Sequence, residues 1–194
     1  MSYKYVPKEV RIKLTRKRIF LVLTIIAFIF SLYLALTYLI QLYESSKPLK
    51  RITYRGVPME FREDIRLAKN IEVYPNESSI KSIFWGRELK EITIGVLNYT
   101  NETNLIGVEA VEITFKLSSF YTLMNMKVSI KGKEIGSIEE IRGNSTHPAI
   151  VIVPPSIANE TAVRLEDYKL IISGKSIKEL DLATIKFILL VLGI

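Results

Sequence analysis

Hydrophobic positions follow two patterns along the chain, one unbroken and one alternating. From Ile19 to Leu42, 24 consecutive residues include no Asp, Glu, Lys, Arg or His. A helix of this length reaches about 36 Å, enough to cross a hydrocarbon core of about 30 Å. A run that is apolar on every side therefore predicts a transmembrane helix over residues 19–42. Tyr38 and Tyr43 lie near its far end, where amphipathic rings favour the headgroup layer.

The charges beside this run predict its orientation. Residues 1–18 carry seven Lys or Arg and one Glu, a net charge of +6, with Arg16, Lys17 and Arg18 directly before the span. Such an excess keeps its end of a span in the cytoplasm. We therefore expect a protein of the cell membrane with a cytoplasmic tail over 1–18 and an extracytoplasmic part beyond residue 45. The alternative is a cleaved secretory signal, but that apolar region is about 7–15 residues long and ends in small residues.

Beyond a linker over 43–58 the hydrophobic period changes to two. Apolar and polar residues alternate in 90–97, 111–117 and 126–132, as in half-buried antiparallel strands. Further short runs rich in Ile, Val and Tyr lie at 70–74, 82–85, 149–153 and 167–173. Gly132 and Gly174 mark turns at 131–134 and 173–176, and the charged segment 59–70 suggests a turn or two of surface helix. The pattern predicts a mainly-β domain over 59–194, an antiparallel β-sandwich of immunoglobulin-like or related type.

The C-terminal segment from Leu182 to Ile194 is almost wholly apolar and too short to span a bilayer. Ile185, Phe187 and Leu189 alternate as in a strand buried on both faces, and we favour that interpretation. The alternative is a short helix that begins near Ser176. An uncovered apolar strand has to pair within the domain or with a neighbouring subunit. Residues 185–194 are therefore a candidate contact with a partner.

Composition narrows the classes of function. Of the net charge of +7, +6 lies in the tail, because the rest of the chain has 20 basic and 19 acidic side chains, a net charge of +1. The near-neutral charge beyond the tail excludes a nucleic-acid-binding patch. The basic tail is then a signal of membrane topology. The chain has no cysteine, so disulfides, thiolate metal sites and cysteine nucleophiles are excluded. Abundant Ile, Lys and Glu with little Gln suggest a hyperthermophilic, archaeal-like source.

Five acceptor triplets for N-glycosylation lie beyond the span, on the side predicted to be outside. Each has Asn, any residue but Pro, then Ser or Thr. They begin at Asn76, Asn98, Asn101, Asn144 and Asn159. Asn and Thr are also common in loops for local reasons. We expect glycans at several of these positions but not at both Asn98 and Asn101, which are too close together.

Residues that could carry catalysis are scattered. The one histidine, His147, precedes Pro148 in a loop-like stretch, and no nucleophile-elbow, P-loop or dinucleotide motif occurs. Acidic pairs such as Glu139-Glu140 are adjacent in sequence, so on a strand they point to opposite faces. Together with Asp167 they make a weak calcium candidate, because the spaced acidic loop is missing. Trp85 is expected in the core or at the membrane surface. No metal or cofactor is predicted.

The sequence thus predicts a non-enzymatic, single-pass membrane protein that interacts with the lipid bilayer and with other subunits. We expect a structural or accessory subunit of a cell-envelope or membrane assembly. A sensory ectodomain that binds a ligand or glycan is the first alternative. An extracytoplasmic enzyme is a third hypothesis, and a pocket with buried carboxylates of raised pKa would favour it.

Overall fold

The computed structural model describes residues 16–97 and 101–194 and divides the chain into two units, Met1–Lys47 and Pro48–Ile194. In the first unit, helix α1 spans Arg16–Ser46. Its segment Leu23–Tyr43 has a mean hydropathy of 2.3 and buries none of its surface in the protein. Thr24 and Thr37 donate their hydroxyls to carbonyls one turn earlier, both at 2.9 Å. The predicted apolar helix is confirmed, and it is long enough to span a membrane, a property shared by anchors and signal sequences.

Within the described residues, the second unit contains eight strands and three α-helices. The strands are β1 Arg51–Tyr54, β2 Val57–Glu60, β3 Glu72–Tyr74, β4 Glu91–Leu97, β5 Ser129–Ile135, β6 Ala149–Val153, β7 Ala162–Glu166 and β8 Lys169–Ser173. The helices are α2 Glu77–Phe84, α3 Thr103–Leu123 and α4 Ile177–Leu192, with 3-10 turns at Leu67–Asn70 and Ile138–Glu140. Strands β1 and β2 form an antiparallel hairpin. Part of the predicted linker over 43–58 is therefore strand.

The other six strands form one mixed sheet in the order β3-β7-β8-β6-β4-β5. Strands β5, β4, β6 and β8 are parallel neighbours, with Ile94 beside Ile150 and Ile150 beside Leu170. Strand β7 is antiparallel to β8, and β3 is parallel to β7. All five residues of β6 are buried, as expected for a central parallel strand covered on both faces. The sheet is therefore mixed and mostly parallel, unlike the antiparallel sandwich that the sequence predicted.

Helix α3 connects β4 to the parallel strand β5, and α3 and α4 pack on each other and on the sheet. This corrects the prediction of a strand at 111–117. The alternation there is real, but Ile106, Ala110 and Ile113 have helical spacing and are buried. A helical crossover is also what a parallel connection requires. The predicted strand at 82–85 likewise ends helix α2.

The C-terminal segment is a helix, and the favoured strand was wrong. Helix α4 begins after Ser176, whose Oγ accepts a hydrogen bond from the Glu179 amide at 3.3 Å. Phe187, Ile188 and Val191 are fully buried in the domain's own core. Residues 185–192 are thus covered by this chain, which removes the segment as a partner contact apart from the exposed Ile194.

Several other elements agree with the sequence. Strands β3, β4, β6 and β8 lie within or at the predicted runs, and 173–176 forms the turn before α4. The predicted turn at 131–134 is instead the middle of β5. Segment 59–70 contains one 3-10 turn. Trp85 follows α2, is 40% exposed, and donates its Nε1 proton to the Val191 carbonyl at 2.7 Å.

Candidate interaction surface and the charge cluster behind it

The outer side of α3 carries an uncovered apolar surface. Val108, Val111 and Phe115 are 49%, 69% and 74% exposed. Asn104, Ser118 and Thr122 are exposed on the same side. We call these six residues the α3 face. Large apolar side chains that adjoin one another at a surface are characteristic of binding sites.

The α3 face follows the spacing of a coiled-coil seam. Its members are separated by alternating steps of four and three residues from Asn104 to Thr122. Such steps place side chains in one line along a helix. Two open cavities adjoin this line. One, of about 420 Å³, is lined in part by Gly107 and Val108. The other, of about 380 Å³, lies between the hairpin and α3 and is lined in part by Pro58 and Phe115.

None of the six residues is charged, although α3 contains Glu109, Glu112 and Lys116. Glu109 is fully buried and Lys116 is buried on the opposite side of the helix. A surface helix normally directs its charged residues to water and its apolar residues inward. The outer side of α3 has no charged residue, and the charged residues of the helix lie beside the apolar core residues of its inner side. An uncharged apolar outer side is the arrangement expected when another molecule covers it.

The charges of α3 meet Arg62 and Asp181 in one cluster. Arg62 donates a hydrogen bond to Glu109 Oε1, and its Nε lies 3.1 Å from Glu112 Oε2. Its Nη2 also lies 2.8 Å from Asp181 Oδ1 on α4. Lys116 Nζ lies 2.6 Å from Glu112 Oε1. The cluster therefore ties α3, α4 and the segment after β2 together.

Burial keeps a proton in this cluster. Removal from water, then a hydrogen bond with Asp181, raises the pKa of Glu109 from 4.5 to about 8, although the charge of Arg62 acts to lower that pKa. Three carboxylates and two cations would leave one negative charge, and a proton on Glu109 cancels it. Among the described residues, Glu109 Oε2 has no hydrogen-bond partner, and Asp181 Oδ1 has its ion pair with Arg62 but no hydrogen bond. A proton on Glu109 provides the donor for the hydrogen bond with Asp181 that raises the pKa of Glu109.

The cluster connects elements of the fold. Its member Lys116 lines the cavity between the hairpin and α3, whereas Glu109 and Asp181 line neither cavity beside α3. Sequence reasoning missed it because the alternation in 111–117 predicts a strand, which separates Glu109, Glu112 and Lys116. The signal that could have found it is their spacing of three and four residues, which brings them together on a helix. Asp181, an acid within an apolar run, was a second sign.

The other predicted residues lie apart from the α3 face. Among the four triplets that start within the described residues, Asn76, Asn101, Asn144 and Asn159 are exposed, while Asn98 lies outside those residues. Asn76 Oδ1 accepts from the Ser79 amide at 2.9 Å at the start of α2. Asn144 Oδ1 accepts from the Thr146 amide at 3.0 Å. At Asn76 and Asn144 the side-chain carbonyl oxygen accepts a hydrogen bond, and the side-chain amide nitrogen is the atom that would carry a glycan.

The anchor residues lie in α1: Lys17, Tyr38 and Tyr43 are exposed, and Arg16 and Arg18 belong to its first turn. His147 is exposed in its loop, where Nδ1 lies 2.7 Å from Thr146 Oγ1. Across residues 16–97 and 101–194, no three His, Cys, Asp or Glu side chains converge as a metal site. The calcium candidate formed by Glu139, Glu140 and Asp167 therefore has no supporting geometry.

Open α/β sheets bind ligands at the carboxyl edge of their parallel strands. Here that edge contains Pro154 and Pro155 after β6, and the Ser156 amide donates to Glu102 Oε2 at 3.0 Å. The largest described cavity, about 580 Å³, lies instead at the opposite edge, lined in part by Arg87 and Tyr168. It is open and has no buried charged side chain in its lining.

No protein-family model, curated protein sequence or solved structure matches this chain. The class of protein is therefore defined by its structure alone. It is a mixed α/β domain that follows one apolar helix, with an uncovered helix face on the domain.

Proposed function

We propose that the chain is a single-pass membrane protein that serves as a structural or accessory subunit of a membrane or envelope assembly. Its N-terminus is cytoplasmic, its α/β domain is extracytoplasmic, and the α3 face is the surface that joins the assembly. The uncharged, apolar α3 face carries this proposal. The basic residues before the apolar helix support the orientation, and the exposed Asn residues of four triplets are compatible with N-glycosylation.

Two further features agree with a binding role rather than catalysis. The buried carboxylates are paired with Arg62 and Lys116 and adjoin neither cavity beside α3. The alternative of a ligand-binding ectodomain would need an enclosed site with convergent aromatic or polar groups. The largest described cavity is open and has one aromatic residue, Tyr168, in its lining.

The test is native size after mild detergent extraction of the full-length, tagged protein from its own membranes. Wild type is expected in a complex well above 22.2 kDa plus detergent. Phe115→Asp, which places a charge in the middle of the α3 face, should release the subunit from that complex. A wild-type monomer, or a complex indifferent to Phe115→Asp, would contradict the proposed role.

Ile177→Asp is the matched control. Ile177 is 57% exposed, so the change also places a charge on an exposed apolar residue. It lies at the first position of α4, where a carboxylate interacts favourably with the helix dipole. This variant should keep the wild-type complex. A mass shift that disappears after deglycosylation would test the outside orientation in the same sample.

A further inference from the structure

We propose that the partner of the α3 face is the α3 face of a second copy of this chain, so that the two form a symmetric dimer in the membrane. This rests on the proposed function, because it names the partner for the same surface. A two-fold dimer requires a patch that is complementary to itself.

The first reason is the arrangement of side chains. Val108, Val111 and Phe115 occupy the middle of the seam, with Asn104 on one end and Ser118 and Thr122 on the other. Alternating four- and three-residue steps of this kind let two helices interlock. Gly107, Thr114 and Ser119 lie along its margins. Because these side chains are small, a second helix can approach closely.

The second reason is charge. When a patch meets its own copy, each residue lies opposite itself or a symmetry-related neighbour. Like charges would then come into contact and weaken the dimer. The α3 face contains no charged residue, and the charged residues that line the cavity beside Phe115 are of both signs: Arg51, Glu60 and Lys116. The absence of charge from the α3 face also argues against a lipid surface as the partner, since faces that bind headgroups combine apolar residues with Lys or Arg.

The third reason is that strand pairing offers a poorer contact. Strand β5 lies at one edge of the sheet and carries exposed Lys131 and Lys133. Exposed lysines on an edge strand oppose the addition of another strand. At the other edge, β3 has only three residues. Of these surfaces, the α3 face is the one that presents adjoining large apolar side chains.

The area is adequate for copies held in one membrane. At their observed exposures, Val108, Val111 and Phe115 leave on the order of 300 Å² of apolar surface on each copy. Two copies that bury this surface remove roughly 600 Å², and with the margins of the face on the order of 1,000 Å² in total, which is the size of weak or transient interfaces. An anchor confines both copies to one plane and raises their effective concentration, so a small interface suffices.

A glycan at Asn101 is compatible with this contact. Asn101 precedes the first residue of α3, Thr103, and Val111 lies eight residues beyond Thr103, which is about 12 Å along the helix axis. Asn76, Asn144 and Asn159 lie in other loops of the domain, outside α3. The centre of the seam is thus free of the expected glycans.

Cysteine cross-linking tests the dimer, and the absence of native cysteine makes each introduced thiol the only one. The full-length variants Val111→Cys and Phe115→Cys are expressed separately and together, and membranes are oxidised before electrophoresis. Parallel helices place Val111 opposite Val111, and Val111→Cys alone should give most of the protein as a covalent dimer. Antiparallel helices place it opposite Phe115, so the dimer should form mainly when both variants are co-expressed.

Lys133→Cys on the exposed edge strand is the control for random collision and should give only background dimer. Either cross-linking pattern well above that control supports the proposal. Absence of both patterns overturns it, as does a stronger reaction at residue 133. If no dimer forms while Phe115→Asp still disrupts the native complex, the homodimer is refuted and the subunit role stands with a different partner. If neither effect occurs, both fail.

Discussion

Replacing Glu109 by Gln is the sharpest test of the charge cluster. The pKa of Glu109 is raised from 4.5 to about 8 in the folded protein by burial and by the hydrogen bond with Asp181. Between these pH values, the folded state keeps a proton that the unfolded chain has released. Unfolding then releases a proton, so the free energy of unfolding decreases as the pH rises from about 4.5 to 8.

The magnitude follows from the difference between the pKa of Glu109 in the folded protein and in the unfolded chain. A tenfold change in an acid dissociation constant corresponds to about 1.4 kcal/mol, so the interval from 4.5 to about 8 gives an upper limit on the order of 5 kcal/mol. Arg62 is 38% exposed, and water at that side chain reduces the effect. We expect wild type to lose roughly 2–4 kcal/mol between pH 5 and 8.5 through this group. Glu109→Gln should remove that loss, because the amide stays neutral and can still accept from Arg62 and donate to Asp181.

The free energy of unfolding at each pH is measured by guanidinium unfolding of the detergent-solubilised full-length protein. The fluorescence of Trp85 reports the fraction unfolded. This single tryptophan packs 5.4 Å from Phe120 on α3 and bonds to α4, so it reports on the core. At pH 5 the variant should lie within about 1 kcal/mol of wild type, and at pH 8.5 it should be the more stable protein. Glu88→Gln removes the same charge at an exposed site and should keep the wild-type pH dependence.

The opposite result would refute the protonated state of Glu109. If wild type became more stable from pH 5 to 8.5, Glu109 would be an ionised partner of Arg62. If the free energy of unfolding changed equally with pH in wild type and Glu109→Gln, protonation of Glu109 would also be contradicted, because other groups would then cause the change.

Two further changes test how α4 is fixed. Ser176→Ala removes the side chain that accepts from the Glu179 amide and should lower stability by about 1 kcal/mol in the same unfolding assay; no change would mean that α4 does not depend on this cap. Gly174→Ala should cost about 3 kcal/mol or more, since its new Cβ would lie 2.2 Å from the Leu180 amide nitrogen. Gly132→Ala, with no atom within 4 Å, is the control, and an equal loss there would contradict the steric reason.

The sequence predicted the positions of several strands better than their arrangement. The predicted strand at 149–153 has the same bounds as β6. Alternation of side chains, however, does not distinguish a parallel from an antiparallel neighbour. The run Ala149–Val153 is apolar throughout, and that feature could have indicated a parallel sheet covered on both faces. The helices required by such a sheet would then have been sought between the strands.

Helices α3 and α4 show why local patterns gave the wrong element. Val111, Ile113, Phe115 and Leu117 alternate with polar residues, but only Ile113 and Leu117 of these four are buried. The exposed pair belongs to the α3 face, so the uncovered apolar residues of a helix produced the alternation that predicted a strand. In α4, the Ser176 to Glu179 capping pair was a readable helix start. The spacing of Glu109, Glu112 and Lys116 was a local sign of the cluster, but the contacts of Glu109 with Arg62 and Asp181 depend on tertiary packing.

The cluster and the α3 face are two consequences of one arrangement. All three charged residues of α3 lie on its inner side, where Glu109 and Lys116 are buried at a cost in hydration. Apolar residues there would pack without that cost, and charged residues outside would keep the helix soluble. The observed sequence instead places its charges among the apolar core residues of the inner side and leaves large apolar residues outside. Arg62 compensates the buried carboxylates and fixes the helix, while Val111 and Phe115 stay uncovered in the single chain. Such a distribution is costly for an isolated monomer and favourable for a subunit whose outer helix face is covered in an assembly.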